Sequence, residues 1–186
     1  MNKSTKKELA TGLNEDQYVA SEDGHLVAYE KEDPSKSKSV TVMNLETDQE
    51  YEVTCKDGEC IKPLGFMDGD FVYGVAKTEE VGTTLSGAQV IPMYKVEITS
   101  SKDKVIKTYE QSGIYVLSAA FEDNMITLDR AVKDGDTYTG TAQDYITSSE
   151  EAKESNIYVQ TYKTDLKETQ VRLTYDDGIS DKEPKL

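Results

Sequence analysis

The chain has 186 residues, 36% of them hydrophobic and 31% charged, with 36 acidic against 21 basic side chains and a net charge of −15. That length allows one domain with a sizeable core, while the apolar share lies below the usual value and the charged share above it. So acidic a surface repels nucleic acid and anionic lipid headgroups; it serves solubility, and leaves a basic partner or a loosely held divalent cation as the ligands that charge would favour.

No run approaches the 18 or so apolar residues of a membrane span, so no membrane insertion is expected of this segment. Met1–Lys7 is polar and basic, with no apolar stretch behind it to make a secretory signal. Residues 1–13 read as a flexible N-terminal tail, with a weak helical stub near Lys6–Ala10 ended by Gly12.

From Asn14 onward the chain reads as strands and turns. Three segments share one pattern, a tight turn followed at once by an apolar strand: Ser21–Tyr29, Phe66–Gly74 and Phe121–Leu128. Their turns, at Asp23-Gly24, Asp68-Gly69 and Asp123-Asn124, lie 45 and then 55 residues apart, a spacing that marks a repeat architecture. In chain order the first unit has strands at Tyr18–Ala20, Leu26–Tyr29, Val40–Leu45 and Glu50–Thr54. The second has Leu64–Phe66, Phe71–Val75, Met93–Ile98 and Val105–Thr108. The third has Ser118–Phe121, Met125–Leu128, Ile157–Tyr162 and Thr169–Thr174. Alternation of apolar and polar residues in the later strands puts one face inward. Ser148–Glu154 has helix-like composition but is short and polar, so it reads as a loop or a single turn.

Four-stranded units of about 50 residues are the size of β-propeller blades. The fold predicted is all-β, about three blades of a partial or open propeller in a single domain over 14–180. The blades fall near 14–62, 63–116 and 117–178, and 181–186, with Pro184, starts a truncated next unit. Closed rings take four to eight blades, so three imply a fragment, an open stack, or a homodimer formed through open blade edges.

The two cysteines sit in Cys55-Lys56-Asp57-Gly58-Glu59-Cys60. If Asp57-Gly58 is a two-residue hairpin turn, Cys55 and Cys60 face each other at a non-hydrogen-bonded pair and suit a disulfide; two free thiols are the other reading. A disulfide points to an oxidising compartment.

Little in the chain points to catalysis. The lone histidine, His25, opens a strand and reads as a structural or surface residue, and no Gly-x-Ser-x-Gly elbow is present. Gly82–Gly87 lacks the lysine and helix of a phosphate loop. Asp134-Gly135-Asp136 and Asp176-Asp177-Gly178 read as turns, without the remaining ligands of a calcium loop. No catalytic residue, metal site or cofactor is indicated. Two insertions depart from a minimal blade, at Lys77–Pro92 and Arg130–Asn156. Such long loops are functional, disordered or packed over their own blade, and Tyr138, Asp144 and Tyr145 in the second are the candidates for a partner surface.

Ser21-Glu22-Asp23-Gly24, Leu26–Tyr29, Val40–Leu45 and Val53-Thr54, with Met67-Asp68-Gly69 and Phe71-Val72-Tyr73, resemble TolB-like and dipeptidyl-peptidase-N-terminal-like propeller repeats over about 14–180. The family's proline before the turn is replaced by Glu22, Met67 and Glu122, and its tryptophan is absent. The chain is also similar to propeller regions of uncharacterised cell-envelope proteins from Gram-positive anaerobes. The resemblance implies an extracytoplasmic, non-catalytic binding or scaffolding module whose partner is a protein, peptide or envelope glycan. The alternative is the accessory propeller of a larger hydrolase of peptidase type, and a weaker third reading is a metal-assisted or glycoside-cleaving enzyme on the propeller itself.

Overall fold

The structure is a computed structural model and describes residues 9–84, 86–87, 89–100, 104–122, 124–148, 157–164 and 167–175, the last two segments through their backbone only. The helical stub predicted near Lys6–Ala10, the Ser148–Glu154 segment and the unit start at 181–186 fall wholly or mostly outside the described residues. Among the described residues the fold is all-β, with two single-turn 3-10 helices, at Glu15–Gln17 and Thr78–Glu80. The chain divides into two compact units, Met1–Ser148 and Ser149–Leu186.

The first sheet is an antiparallel meander of β1 (Tyr18–Ala20), β2 (Leu26–Tyr29), β3 (Ser39–Asn44) and β4 (Glu50–Thr54). Its alternation is the expected one. Ala28, Val40, Val42 and Val53 are at most 3% exposed and share one face. The turn before β2 is held by Asp23, whose carboxylate accepts from the Ser21 hydroxyl at 2.6 Å and the His25 amide at 2.9 Å.

The chain then enters β5 (Glu59–Met67) and returns along β6 (Asp70–Lys77). Asp68 at φ 53° and Gly69 at φ 81° make the two-residue hairpin turn that needs left-handed backbone at both positions. β6 is buried on both faces. Phe71, Tyr73 and Val75 point with Ile61 into the core shared with the first sheet, while Val72 and Ala76 point into a second core. Two adjacent strands thus form the wall between two cores.

Beyond β6 the sheet continues through β9 (Met93–Ser100), with β10 (Lys104–Glu110) on one flank of β9, and reaches β11 (Tyr115–Glu122) through one register pair, Val116 with Met93. β11 pairs with β12 (Met125–Asp134). The other edge of β12 is shared end to end by β14 (Asp144–Thr147) at its start and β13 (Thr137–Gly140) at its finish. Gly135 in Asp134-Gly135-Asp136 turns β12 into β13 at φ 60°. β13 pairs in parallel with β7 (Gly82–Thr84), which pairs with β8 (Gln89–Val90).

This order forces a curl. Five strand spacings separate β6 from β7 in the sheet, roughly 24 Å if it lay flat. The stretch from Lys77 to Gly82 spans at most about 18 Å, so the sheet bends back as a half-barrel. Val116, Ile126, Leu128 and Ile146 fill the second core from its far side against Val96 and Ile98.

Met125–Leu128 of β12 pairs with β14. β15 (Ile157–Thr164) and β16 (Lys167–Tyr175) pair with each other as a hairpin in the second unit.

Candidate functional site

The two predicted insertions meet. β7 comes from the first and β13 from the second, and Tyr138 locks them together. Its ring is 2% exposed and edge-on to Tyr115 at 5.3 Å, and its hydroxyl donates to the Glu80 carbonyl at 2.7 Å. Gly82 leaves room for that ring, since a Cβ there would stand 2.7 Å from it. Burial pushes the Tyr138 phenol up to about 12, so it stays a neutral donor. Tyr138 is therefore corrected from partner surface to core: the insertion folds back on the sheet and its broadest apolar ring fills the seam.

Asp144 is committed too. Its Oδ2 accepts from the Tyr109 hydroxyl and from Arg130 Nη1, each at 3.0 Å, while Arg130 Nε donates to the Ala142 carbonyl at 2.8 Å. The Tyr145 amide, the Tyr109 hydroxyl and the Arg130 charge hold the Asp144 carboxyl below its ordinary value. This group pins the break between β13 and β14 to β12. Of the three surface candidates, Tyr145 alone offers a broadly exposed ring, at 54%.

The cysteines are free thiols here. Asp57-Gly58 does not turn a hairpin; it links two sheets. The Cys55 amide donates to the Lys38 carbonyl beside the first sheet, and Cys60 pairs with Ala76 across β5 and β6. The facing pair expected for a disulfide is thus absent, because β5 leaves β4 and joins another sheet. Burial raises both thiols, Cys60 to about 11. His25 is exposed, with Nδ1 3.2 Å from Glu46.

The residue that composition hid is Glu30, directly after β2. Its side chain is 1% exposed, yet neither carboxylate oxygen has a partner. The loop that encloses it is tied down on every side. The Glu30 amide donates to the Gln17 carbonyl at 2.9 Å, and Gln17 Nε2 donates to the Glu32 carbonyl at 2.8 Å. The Asp33 carbonyl accepts from the Lys36 and Ser37 amides, and the Ser37 carbonyl accepts from Ile61 of β5 at 2.9 Å. Ser37 lies beside the carboxyl and is itself 1% exposed, but its hydroxyl donates to the Ser39 carbonyl at 3.0 Å.

Burial drives the Glu30 carboxyl up to about 8; Ser37 and the Lys62 charge offset part of that, and the charges of Asp16 and Asp33 add to it. Glu30 and Ser37 are among the residues around a cavity of about 240 Å³ that also touches Tyr29, Glu32, Thr41, Glu52, Lys31 and Lys38, but the two Glu30 carboxylate oxygens are sealed from it. A wider cleft of about 360 Å³, between Leu26, Val42 and Tyr51 of the first sheet and Phe66, has no buried charged group on its walls. Nothing in the sequence separated Glu30 from 35 other acidic residues among the 36; the only local signal is a carboxylate placed where an apolar strand ends.

Among the described residues no cluster of three or more histidine, cysteine, aspartate or glutamate side chains could hold a metal ion. No helix among them is long and apolar enough to cross a membrane. No family model, curated protein or solved structure matches this chain.

Proposed function

We propose that the chain is a partial β-propeller serving as a non-catalytic binding or scaffolding module of a larger extracytoplasmic protein, with a protein, peptide or envelope glycan as partner. The observation that carries the reading is the double role of β5 and β6 as one wall of two cores, the relation that face-to-face blades require. Strand order supports it: β1-β2-β3-β4 and β5-β6-β9-β10 are each four successive antiparallel neighbours, leaving out the short insertion strands. The links between units support it as well. Glu59 donates its amide to the Lys56 carbonyl and Ile114 to Gln111, each at 3.1 Å, with Gly58 and Gly113 at φ 82° and 74° as the third residue of each turn. The extracytoplasmic location rests on the sequence resemblance alone.

Light scattering with small-angle X-ray scattering on this chain tests the reading. An arc-like monomer, or a disc-shaped dimer in which two copies share one ring, supports it. A near-spherical monomer overturns it.

A further inference from the structure

We infer that the cleft between the first sheet and Phe66 binds a basic peptide segment of a partner protein, taking up a large apolar side chain flanked by lysine or arginine. This gives the binding-module reading a ligand class and rests on that reading, though not on the propeller geometry.

The walls carry the first half of the inference. The cleft holds about 360 Å³, toward the lower end of the range for ligand sites. Leu26 of β2, Val42 of β3, Tyr51 of β4 and Phe66 of β5 line it. Phe66 is fixed by Phe71, with ring centroids 5.5 Å apart, so that wall is preformed. The cleft is also open. Leu26, Tyr51 and Phe66 are only half-buried, Gln49, Glu50 and Gly69 at its mouth are exposed, and a side chain built on Gly69 would meet no atom within 4 Å. A ligand reaches these walls directly from solvent.

Charge around the mouth carries the second half. Three turns border it: the one before Leu26, the one joining Asn44 to Gln49, and Asp68-Gly69. The stretches that hold them, residues 21–30, 39–55 and 64–76, contain no lysine or arginine. The turns bring Asp23, Glu46, Asp48 and Asp68, and Glu50 and Asp70 follow directly. His25, 3.2 Å from Glu46, is the one side chain of these stretches able to carry positive charge. Among the described residues the next basic side chain at that end of the sheet is Lys104, on β10, two strands out from β6. Exposed charges act over roughly 10 Å at about 0.1 M salt, so these lips decide what docks. A second copy would present the same acidic lips and the same net charge of −15. A neutral glycan gains nothing from the carboxylates, and a bare cation nothing from the apolar walls. An apolar side chain between basic ones uses both.

The test is NMR and calorimetric titration of the whole chain, at pH 7, with acetyl-Lys-Lys-Leu-Phe-Lys-Lys-amide. The controls are the same peptide with glutamate in place of lysine, the same peptide with Gly-Ser in place of Leu-Phe, and chitotetraose. So short a peptide reaches dissociation constants on the order of 0.1–1 mM. The expected result is saturable binding with amide shifts confined to Leu26 and to residues 44–50 and 67–70. Binding weakens roughly tenfold between about 20 and 200 mM salt, and both control peptides bind about tenfold more weakly or worse. Glu50→Lys weakens binding about threefold or more. Glu79→Lys, the same change of charge on an exposed residue beyond the other end of β6, leaves it unchanged. Equal binding by either control peptide or by Glu50→Lys, shifts elsewhere, or no binding overturns the inference. So do three results that assign the cleft to another occupant. Chitotetraose shifting the same amides in place of the peptide points to a glycan, and concentration-dependent shifts there without peptide point to a second copy. Binding that appears only with Lys3→Gln, Lys6→Gln and Lys7→Gln together points to the chain's own tail. The scattering measurement reads shape alone, so each of these failures leaves it untouched.

Discussion

Replacing Glu30 with glutamine should abolish a loss of stability that the protein suffers as pH rises. The carboxyl has an ordinary value of 4.5 and sits at about 8 in the folded protein. Between those values the folded state holds a proton that the unfolded state has released, so stability falls as pH rises. It is fully present below about 4.5 and lost by the time pH passes about 8. The interval of about 3.5 units, at about 1.4 kcal/mol each, sets an upper figure of about 5 kcal/mol, comparable with the whole stability of a small domain. Glu30→Gln keeps the shape and removes the titration. Near pH 4.5 the two proteins should match within about 1 kcal/mol, and at pH 9 the variant should be more stable by roughly 3–5 kcal/mol. Urea unfolding followed by far-ultraviolet dichroism and tyrosine fluorescence reads this, since the chain has 12 tyrosines and no tryptophan. Parallel stability curves for the two proteins from pH 5 to 9 would refute the reasoning.

On the acid side the sign reverses. Asp129 and Asp144 are held below their ordinary values by the Ser118 hydroxyl with Gln143, and by the Tyr145 amide with Tyr109. Their stabilisation is present above about pH 4 and is lost below it as they protonate, so a pH series should place maximal stability on the mildly acidic side. Gly74→Ala should cost about 1–3 kcal/mol by overpacking, because a Cβ there would lie 1.9 Å from the sulfur of fully buried Met93; unchanged urea midpoints would contradict this. Tyr138→Phe removes the bond to the Glu80 carbonyl and should cost about 1 kcal/mol, with faster amide exchange at β7 and β13 but not at β2. Under native conditions Cys60 should resist alkylation and Cys55 react slowly, both labelling after unfolding without reductant; an intact mass two hydrogens lower would contradict the free-thiol structure.

Strands framed by strong turns were legible to the residue. Leu26–Tyr29 lies between an Asp-Gly turn and a polar loop, and Glu50–Thr54 alternates cleanly. The start of β5 was not, because Pro63 and Gly65 interrupt the pattern; the register shifts between them. Cys55–Cys60 has the local chemistry of a hairpin, and only the pairing of β4 with β3 and of β5 with β6 shows that the chain changes sheets there. The two insertions were visible as insertions, but their union was not. A parallel pair of only two registered positions, Thr137 with Thr83 and Tyr138 with Thr84, leaves no periodicity in either segment. Asp144 looked like a surface group because its partner Arg130 is 14 residues away, on another strand.

The claim beneath the proposed function is that β6 is a wall with a core on each side. Amide hydrogen exchange resolved by residue tests it most directly. The account predicts the slowest exchange over Phe71–Ala76 and its partners on β9, with β1 and β10, at sheet edges, exchanging orders of magnitude faster. If β6 exchanged as fast as β1 and β10, the two cores would not share it, and the account would fail.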